Sequence, residues 1–191
     1  MARTIESVAF GGGCFWCTEA VFLELKGVSD VTPGYAGGTA PNPSYKQVST
    51  GNTGYAEVIR IEYDPEIIPF TKLLEVFFAS HDPTTLNRQG NDVGTQYRSV
   101  IFYENEIQKA EAEKYLYKIT ESKKYGRPIV TEISRLDRFY PAEEYHKRYY
   151  ENHPDAGYSA YMIAPKVEKI RKEFREQIKD VAGSQQLESG N

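Results

Sequence analysis

Two cysteines, Cys14 and Cys17, stand three residues apart in the run Gly13-Cys14-Phe15-Trp16-Cys17, and the chain has no others. Three glycines, Gly11 to Gly13, precede them. An apolar pattern comes next, CTEAVFLELKG, with Ala20, Val21, Phe22 and Leu25 at helical spacing and Gly27 as its stop. A cysteine between a glycine loop and a helix start meets backbone N–H groups and the positive end of the helix dipole. Both favour the thiolate and predict a nucleophile near neutral pH. The glycines let the chain turn tightly and let a substrate come close. Phe15 and Trp16 beside that sulfur read as walls for an apolar group, and otherwise as two core aromatics around an inert thiol.

Two further stretches carry polar chemistry. Glu57 lies in Thr53-Gly54-Tyr55-Ala56-Glu57, at the start of a strand with apolar neighbours, downstream of Pro43-Ser44-Tyr45. Facing inward, it would be kept protonated by desolvation and could donate a hydrogen bond; facing outward, it is an ordinary strand-end glutamate. His81-Asp82-Pro83-Thr84 is followed by a dense polar run, Asn87 to Arg98, punctuated by Gly90 and Gly94, which reads as a site-lining loop.

These residues need a frame to hold them. Residues 7–11 read as a strand entering the glycine loop, and residues 28–31 as a second strand. Residues 33–54, rich in Gly, Pro, Ser, Thr and Asn, read as a loop of about twenty residues, a length that is usually functional or disordered. In residues 55–63, Ala56, Val58, Ile59 and Ile61 contrast with Glu57, Arg60 and Glu62, which reads as a third strand. Pro69 at a first helical position opens an amphipathic helix through His81, a polar loop spans 82–95, and residues 97–103 read as a fourth strand. The order β-α-β-β-α-β predicts an α+β two-layer sandwich with a ferredoxin-like core, its helices on one face of an antiparallel sheet. A helix over 105–123, a strand over 129–133, a short helix over 142–150 and a helix over 165–181 extend that core. Residues 1–182 are expected to form one domain, and 183–191 a disordered polar tail.

Composition removes several classes of function. At 191 residues with 40% hydrophobic and 26% charged side chains, the chain suits one globular domain. A net charge of −4 with no basic stripe argues against nucleic acid. The run KVEKIRKEFREQIK (residues 166–179) alternates signs and reads as a solvated helix face. No apolar run approaches the ~18 residues of a membrane span, and MARTIESVAFGGG lacks the apolar stretch of a secretory signal. A cytoplasmic location is expected, where two neighbouring thiols imply redox chemistry or metal binding and not a structural staple. Cys-x-x-Cys is also the spacing of thioredoxin-type oxidoreductases, but the surrounding polar motifs and the absence of a downstream cis-proline signal weigh against that. A zinc site could draw on His81, His146 and His153, yet no histidine pair has finger-like spacing. A non-catalytic binding module, its aromatics forming a protein-interaction surface, is the third alternative.

Taken in order, GCFWC (13–17), GYAGG (34–38), NPSY (42–45), TGYAE (53–57), HDPT (81–84), NRQGNDVGTQYRS (87–99) and FYPAEEYHKRYY (139–150) resemble the A class of peptide methionine sulfoxide reductases. The resemblance runs from about Ala9 to about Tyr150. It implies reduction of methionine sulfoxide, of the S epimer, in proteins, peptides or free form, with a thioredoxin-type reductant as partner and no metal or organic cofactor. It implies Cys14 as the nucleophile on the sulfoxide sulfur, Phe15 and Trp16 as the pocket for the substrate methyl group, and Glu57 as the acid at the sulfoxide oxygen. Tyr45 and Tyr97 match hydroxyls that aid this polarisation, and Asp92 matches a partner within the site. The chemistry is consistent: a sulfoxide sulfur is a poor electrophile until its oxygen is protonated. Methionine is released and Cys14 becomes a sulfenic acid. Two departures stand out. Tyr55 occupies a position where the family often has His, and the glycine-rich C-terminal segment with recycling cysteines is missing. Cys17 is then the one thiol in the chain that can resolve the sulfenic acid.

Overall fold

Period-two alternation along β1 (Glu6–Gly11) sends Val8 and Phe10 to one face of a sheet and Ala9 to the other, and all three are fully buried. In chain order β1 is followed by α1 (Phe15–Leu23), β2 (Val28–Ala36), α2 (Tyr45–Val48), β3 (Ala56–Tyr63), α3 (Phe70–Ser80), β4 (Arg88–Gln89), β5 (Asp92–Val93), β6 (Val100–Tyr103), α4 (Glu106–Glu121), β7 (Glu132–Arg135), β8 (Phe139–Pro141), α5 (Tyr149–Asn152) and α6 (Ala164–Glu173). The computed structural model describes residues 4–180. Six strands form one sheet in the order β7-β6-β1-β3-β2-β8, antiparallel except for the parallel β6–β7 pair. β4 and β5 make a separate hairpin. The fold is mixed α/β with a mostly antiparallel sheet. No helix among the described residues is long and apolar enough to cross a membrane.

The main core lies between the sheet and its helices. Phe10, Ile59, Ile61 and Tyr63 from the strands meet Phe22 of α1, Phe77 of α3 and Ile170 of α6, and Phe10 stacks on Phe77 at 4.7 Å. α1 is buried almost all round, Glu19 included, which is the signature of a helix enclosed on several sides. A smaller cluster (Ala9, Ala36, Ala56, Val58, Val100, Phe102) occupies the opposite face of the sheet under Leu136 and Phe139.

Several sequence expectations shift here. The long loop after the second strand is shorter than predicted, because β2 runs through Pro33 to Ala36 and α2 interrupts the remainder. Pro33 is tolerated because its missing N–H lies on the same side as its carbonyl, which accepts from the Ala142 N–H at 2.9 Å beyond the end of the β2–β8 ladder. α2 forms through a capping box between Ser44 and Gln47. The first helix begins at Phe15 and ends at Leu23, and Pro69 caps α3 from outside instead of opening it. The polar loop at 82–95 contains the β4–β5 hairpin, and the fourth strand starts only at Val100, after a 3-10 turn over Thr95–Tyr97. The later elements also move: the strand expected over 129–133 is Glu132–Arg135. The helix over 142–150 divides into a 3-10 turn at Glu144–His146 and α5, and the last helix ends at Glu173. The polar tail at 183–191 lies outside the described residues.

Candidate active site

The parity of β3 decides where Glu57 points. Grouping it with Arg60 and Glu62 puts it on the polar face, but an odd-numbered residue of this strand shares the face of Ile59, Ile61 and Tyr63, the face of the main core. Glu57 is therefore 1% exposed. Its Oε2 accepts a hydrogen bond from the Phe15 N–H at 3.1 Å, which satisfies one of the unpaired donors at the start of α1. Cys14 occupies the N-cap position without a side-chain cap, so the sheet caps the helix through Glu57. Burial pushes the Glu57 carboxyl up to about 8, with the charges of Asp92 and Cys17 adding to the rise and the Phe15 hydrogen bond opposing it. The group is mostly protonated at pH 7 and can deliver a proton.

Gly13 holds the approach to Cys14 with φ +96°, a conformation that a side chain would strain, and a Cβ there would lie 2.7 Å from the Gln89 side chain of β4. Both cysteines are free, Cys14 half-buried and Cys17 buried. The Cys17 N–H donates to the Cys14 carbonyl at 3.1 Å, so the two sulfurs belong to one turn. The expected lowering at Cys14 itself is corrected. Its thiol is raised by its hydrogen bond with Cys17, by burial and by Glu57. The Cys17 thiol is pulled down to about 7 by that same hydrogen bond, against burial and with help from the Lys166 charge. The pair shares its protons, and it supplies one thiolate near neutral pH.

The aromatic residues divide. Phe15 is 1% exposed and belongs to the core, packed against Tyr35, Tyr45 and His146. Trp16 is partly exposed, with its ring stacked on Tyr149 at 3.7 Å and 4°, edge-on to Tyr158, and its Nε1–H donated to His146 Nδ1 at 3.0 Å. Burial keeps His146 below its usual range, so the imidazole is neutral and accepts that bond.

The remaining predicted residues converge on the same place. Tyr45 stacks on Phe15, and its hydroxyl is raised by burial and by Glu57. Tyr97 is raised by burial, then by the charges of Glu57, Tyr45 and Asp92. Asp92 on β5 accepts from the Tyr158 hydroxyl at 3.1 Å, and Tyr158 lies 3.9 Å from the Cys17 sulfur. Tyr55 does not join them; its hydroxyl turns away to the Ala40 carbonyl. His81 is also apart, buried between the Phe77 carbonyl and the Ser99 hydroxyl, each 2.7 Å away.

Sequence reasoning missed several contributors. His146 and Tyr149 lie within a motif quoted for its resemblance, but His146 was named only as a candidate zinc ligand and Tyr149 was given no role. Tyr158 stands just before a π-helical turn (Ser159–Ile163) and carried no signal at all. Glu143, from the same motif as His146, accepts from the Tyr35 and Tyr145 hydroxyls and the Tyr45 N–H, and so fixes α2 beside the site.

A family model described as peptide methionine sulfoxide reductase matches residues 6–178. The peptide methionine sulfoxide reductase MsrA of Nautilia profundicola is 56% identical over 168 residues, which cover 88% of this chain and 95% of that one. The reduced form of Mxr1 from Saccharomyces cerevisiae superposes with a TM-score of 0.72 at 36% identity, covering 79% of this chain and 87% of that one. Mxr1 in complex with Trx2 superposes with a TM-score of 0.53 at 25% identity, over 78% of this chain and 89% of that one.

Proposed function

The chain belongs to the peptide methionine sulfoxide reductase family, and we propose that Cys14, Glu57 and Cys17 divide its reaction among them. The activity is reduction of methionine sulfoxide to methionine. Cys14 attacks the sulfoxide sulfur as its proton passes to the Cys17 thiolate, while Glu57 delivers its own proton to the oxygen, with the hydroxyls of Tyr45 and Tyr97 bonded to that oxygen and Asp92 as a further polar group of the site. The oxygen then passes from the methionine sulfur to the Cys14 sulfur: the methionine S–O bond and the new S–S bond break, methionine leaves, and Cys14 holds the oxygen as a sulfenic acid. Cys17 then attacks the Cys14 sulfur, its thiol proton leaving with the sulfenic hydroxyl as water, and a Cys14–Cys17 disulfide remains. A dithiol reductant restores both thiols by exchange and is itself oxidised. The complex of Mxr1 with Trx2 supports a thioredoxin-type protein as that reductant. Phe15 and Trp16 take the substrate methyl group, and the S epimer is the one accepted.

The observation that carries this assignment is the buried carboxyl of Glu57, protonated at neutral pH and bonded to the backbone next to Cys14. The strand order β6-β1-β3-β2, with α1 and α3 as its connections, supports reading the core as ferredoxin-like. A coupled assay with thioredoxin, thioredoxin reductase, NADPH and each sulfoxide epimer tests the reading. NADPH oxidation with the S epimer and its loss in Cys14→Ser are expected; more than ~1% residual activity in Cys14→Ser would remove Cys14 from the mechanism.

A further inference from the structure

Once Cys17 has taken the Cys14 proton, it must give that proton up again before its own sulfur can join Cys14. Cys17 is 2% exposed, so the proton has no direct route to solvent. Outside the cysteine pair, the group within reach of the sulfur is the Tyr158 hydroxyl, 3.9 Å away, near the outer limit of a hydrogen bond to sulfur. That hydroxyl lies 3.1 Å from Asp92 Oδ2. A carboxylate oxygen accepts and has nothing to donate, so the single hydroxyl proton is committed to Asp92 and the oxygen lone pairs are left for Cys17. The three groups thus form a directed chain, from the Cys17 S–H to the Tyr158 O–H to the Asp92 carboxylate. They come from three separate places in the sequence: α1, the residue before the π-helical turn, and β5 of the hairpin. Trp16 holds the Tyr158 ring edge-on at 5.6 Å and 80°, which keeps the hydroxyl at this meeting point. Burial, then the charges of the two sulfurs, hold the hydroxyl well above its usual range. It therefore stays protonated and hands a proton on as it takes one in.

Resting on the assignment of Cys17 as the resolving thiol, we propose that Tyr158 is a catalytic residue of the resolving step, relaying the Cys17 proton to Asp92. The Cys17 proton moves to the Tyr158 oxygen as the Tyr158 proton moves to the Asp92 carboxylate. The freed electron pair of Cys17 forms the S–S bond, and the Cys14 S–O bond breaks with its pair on oxygen. The departing hydroxide takes up the relayed proton and leaves as water. The Cys17 sulfur is oxidised, the Cys14 sulfur is reduced from the sulfenic level, and Tyr158 and Asp92 end as they began.

Tyr158→Phe keeps the ring against Trp16 and removes the hydroxyl alone. The test is a single turnover of a methionine sulfoxide peptide without reductant, stopped by acid, alkylated and read by mass spectrometry for the Cys14–Cys17 disulfide. In Tyr158→Phe the burst should keep its amplitude of one methionine per enzyme, while disulfide formation slows about 10²-fold. Dimedone should then trap the Cys14 sulfenic acid for correspondingly longer. A tyrosine that merely packed would leave this second step untouched. Asp92→Asn, whose amide cannot store a proton, should slow the same step, and joining it to Tyr158→Phe should add little, because the two act as one path. Equal disulfide rates in the parent and Tyr158→Phe, or multiplied effects in the double variant, would overturn the relay and leave Cys17 as the resolving thiol. If Tyr158→Phe loses its fold, Asp92→Asn decides: a disulfide step as fast as the parent's refutes the relay. A parent chain that forms no Cys14–Cys17 disulfide would remove the resolving role of Cys17, and the relay with it.

Discussion

Glu57 does two jobs with one carboxyl. It caps α1 through the Phe15 N–H, and it sits protonated at neutral pH next to Cys14, where the proposed mechanism needs an acid. The proposed reaction needs a thiolate, available as Cys17 ionises near 7, together with a protonated Glu57, which is lost above about 8. kcat/KM is thus expected to trace a bell with its maximum between those limbs, measured under single-turnover conditions from pH 6 to 10. Glu57→Gln should keep the cap, slow the chemistry by roughly 10²–10³, and erase the alkaline limb. An unaltered limb would assign it to another group. Cys17→Ser should still release one methionine per enzyme in a burst and then stall, with the sulfenic acid on Cys14 open to trapping by dimedone. Full thioredoxin-coupled turnover in that variant would leave a mechanism with one cysteine.

The elements carrying these residues meet through backbone conformations that only certain residues accept. Gly13 is the plainest case, since it turns the chain from β1 into α1 with the β4 side chain of Gln89 pressed over it. Gly13→Ala should cost about 1–3 kcal/mol in urea unfolding, from the positive φ and the displaced hairpin together. It should lower activity further by moving Cys14; stability unchanged from the parent would contradict this packing. The longer strands and helices were legible because hydrophobic periodicity survives in them. The short ones escaped. Pro33 disguised the second half of β2, β4 and β5 have two residues each, and β8 is a three-residue strand ending in Pro141. Within the site, Cys14, Trp16 and Asp92 were legible from motifs in the first half of the chain. Tyr158 was not, because its place beside Cys17 is created by the C-terminal packing of the π turn and α6 on α1, which no local pattern encodes.

Across the whole molecule, buried titratable groups set how stability responds to pH. Glu57 moves from an ordinary 4.5 to about 8 on folding, and Glu19 from 4.5 to about 7. The folded state holds these protons more tightly, so their contribution is complete below about 4.5 and is lost as pH rises through 7 to 8. His81 works in the opposite sense. Burial lowers it from 6.5 to about 4, so its contribution is present above 6.5 and is lost as pH falls through about 4. Thermal melts followed by circular dichroism should show Tm declining from about pH 6 to pH 8.5. Glu57→Gln should flatten that decline and melt above the parent at pH 8.5, a case of function held at the expense of stability. An equal decline in both proteins would mean that Glu57 is not the titrating group.

The three-residue spacing of Cys14 and Cys17 also sets how easily the proposed disulfide is reduced. A disulfide between them closes a ring of only four residues, which removes little freedom from the unfolded chain: about 2 kcal/mol, against ~3 for a fifteen-residue loop. Forming it also disturbs the first turn of α1, where the Cys17 N–H bonds the Cys14 carbonyl. Small cross-link entropy and a distorted helix start both raise the reduction potential of the bond, placing it among labile, catalytic disulfides and not structural ones. On the proposed mechanism the oxidised chain thus takes up electrons readily, and even a mild dithiol drives it back to the state that accepts the next sulfoxide.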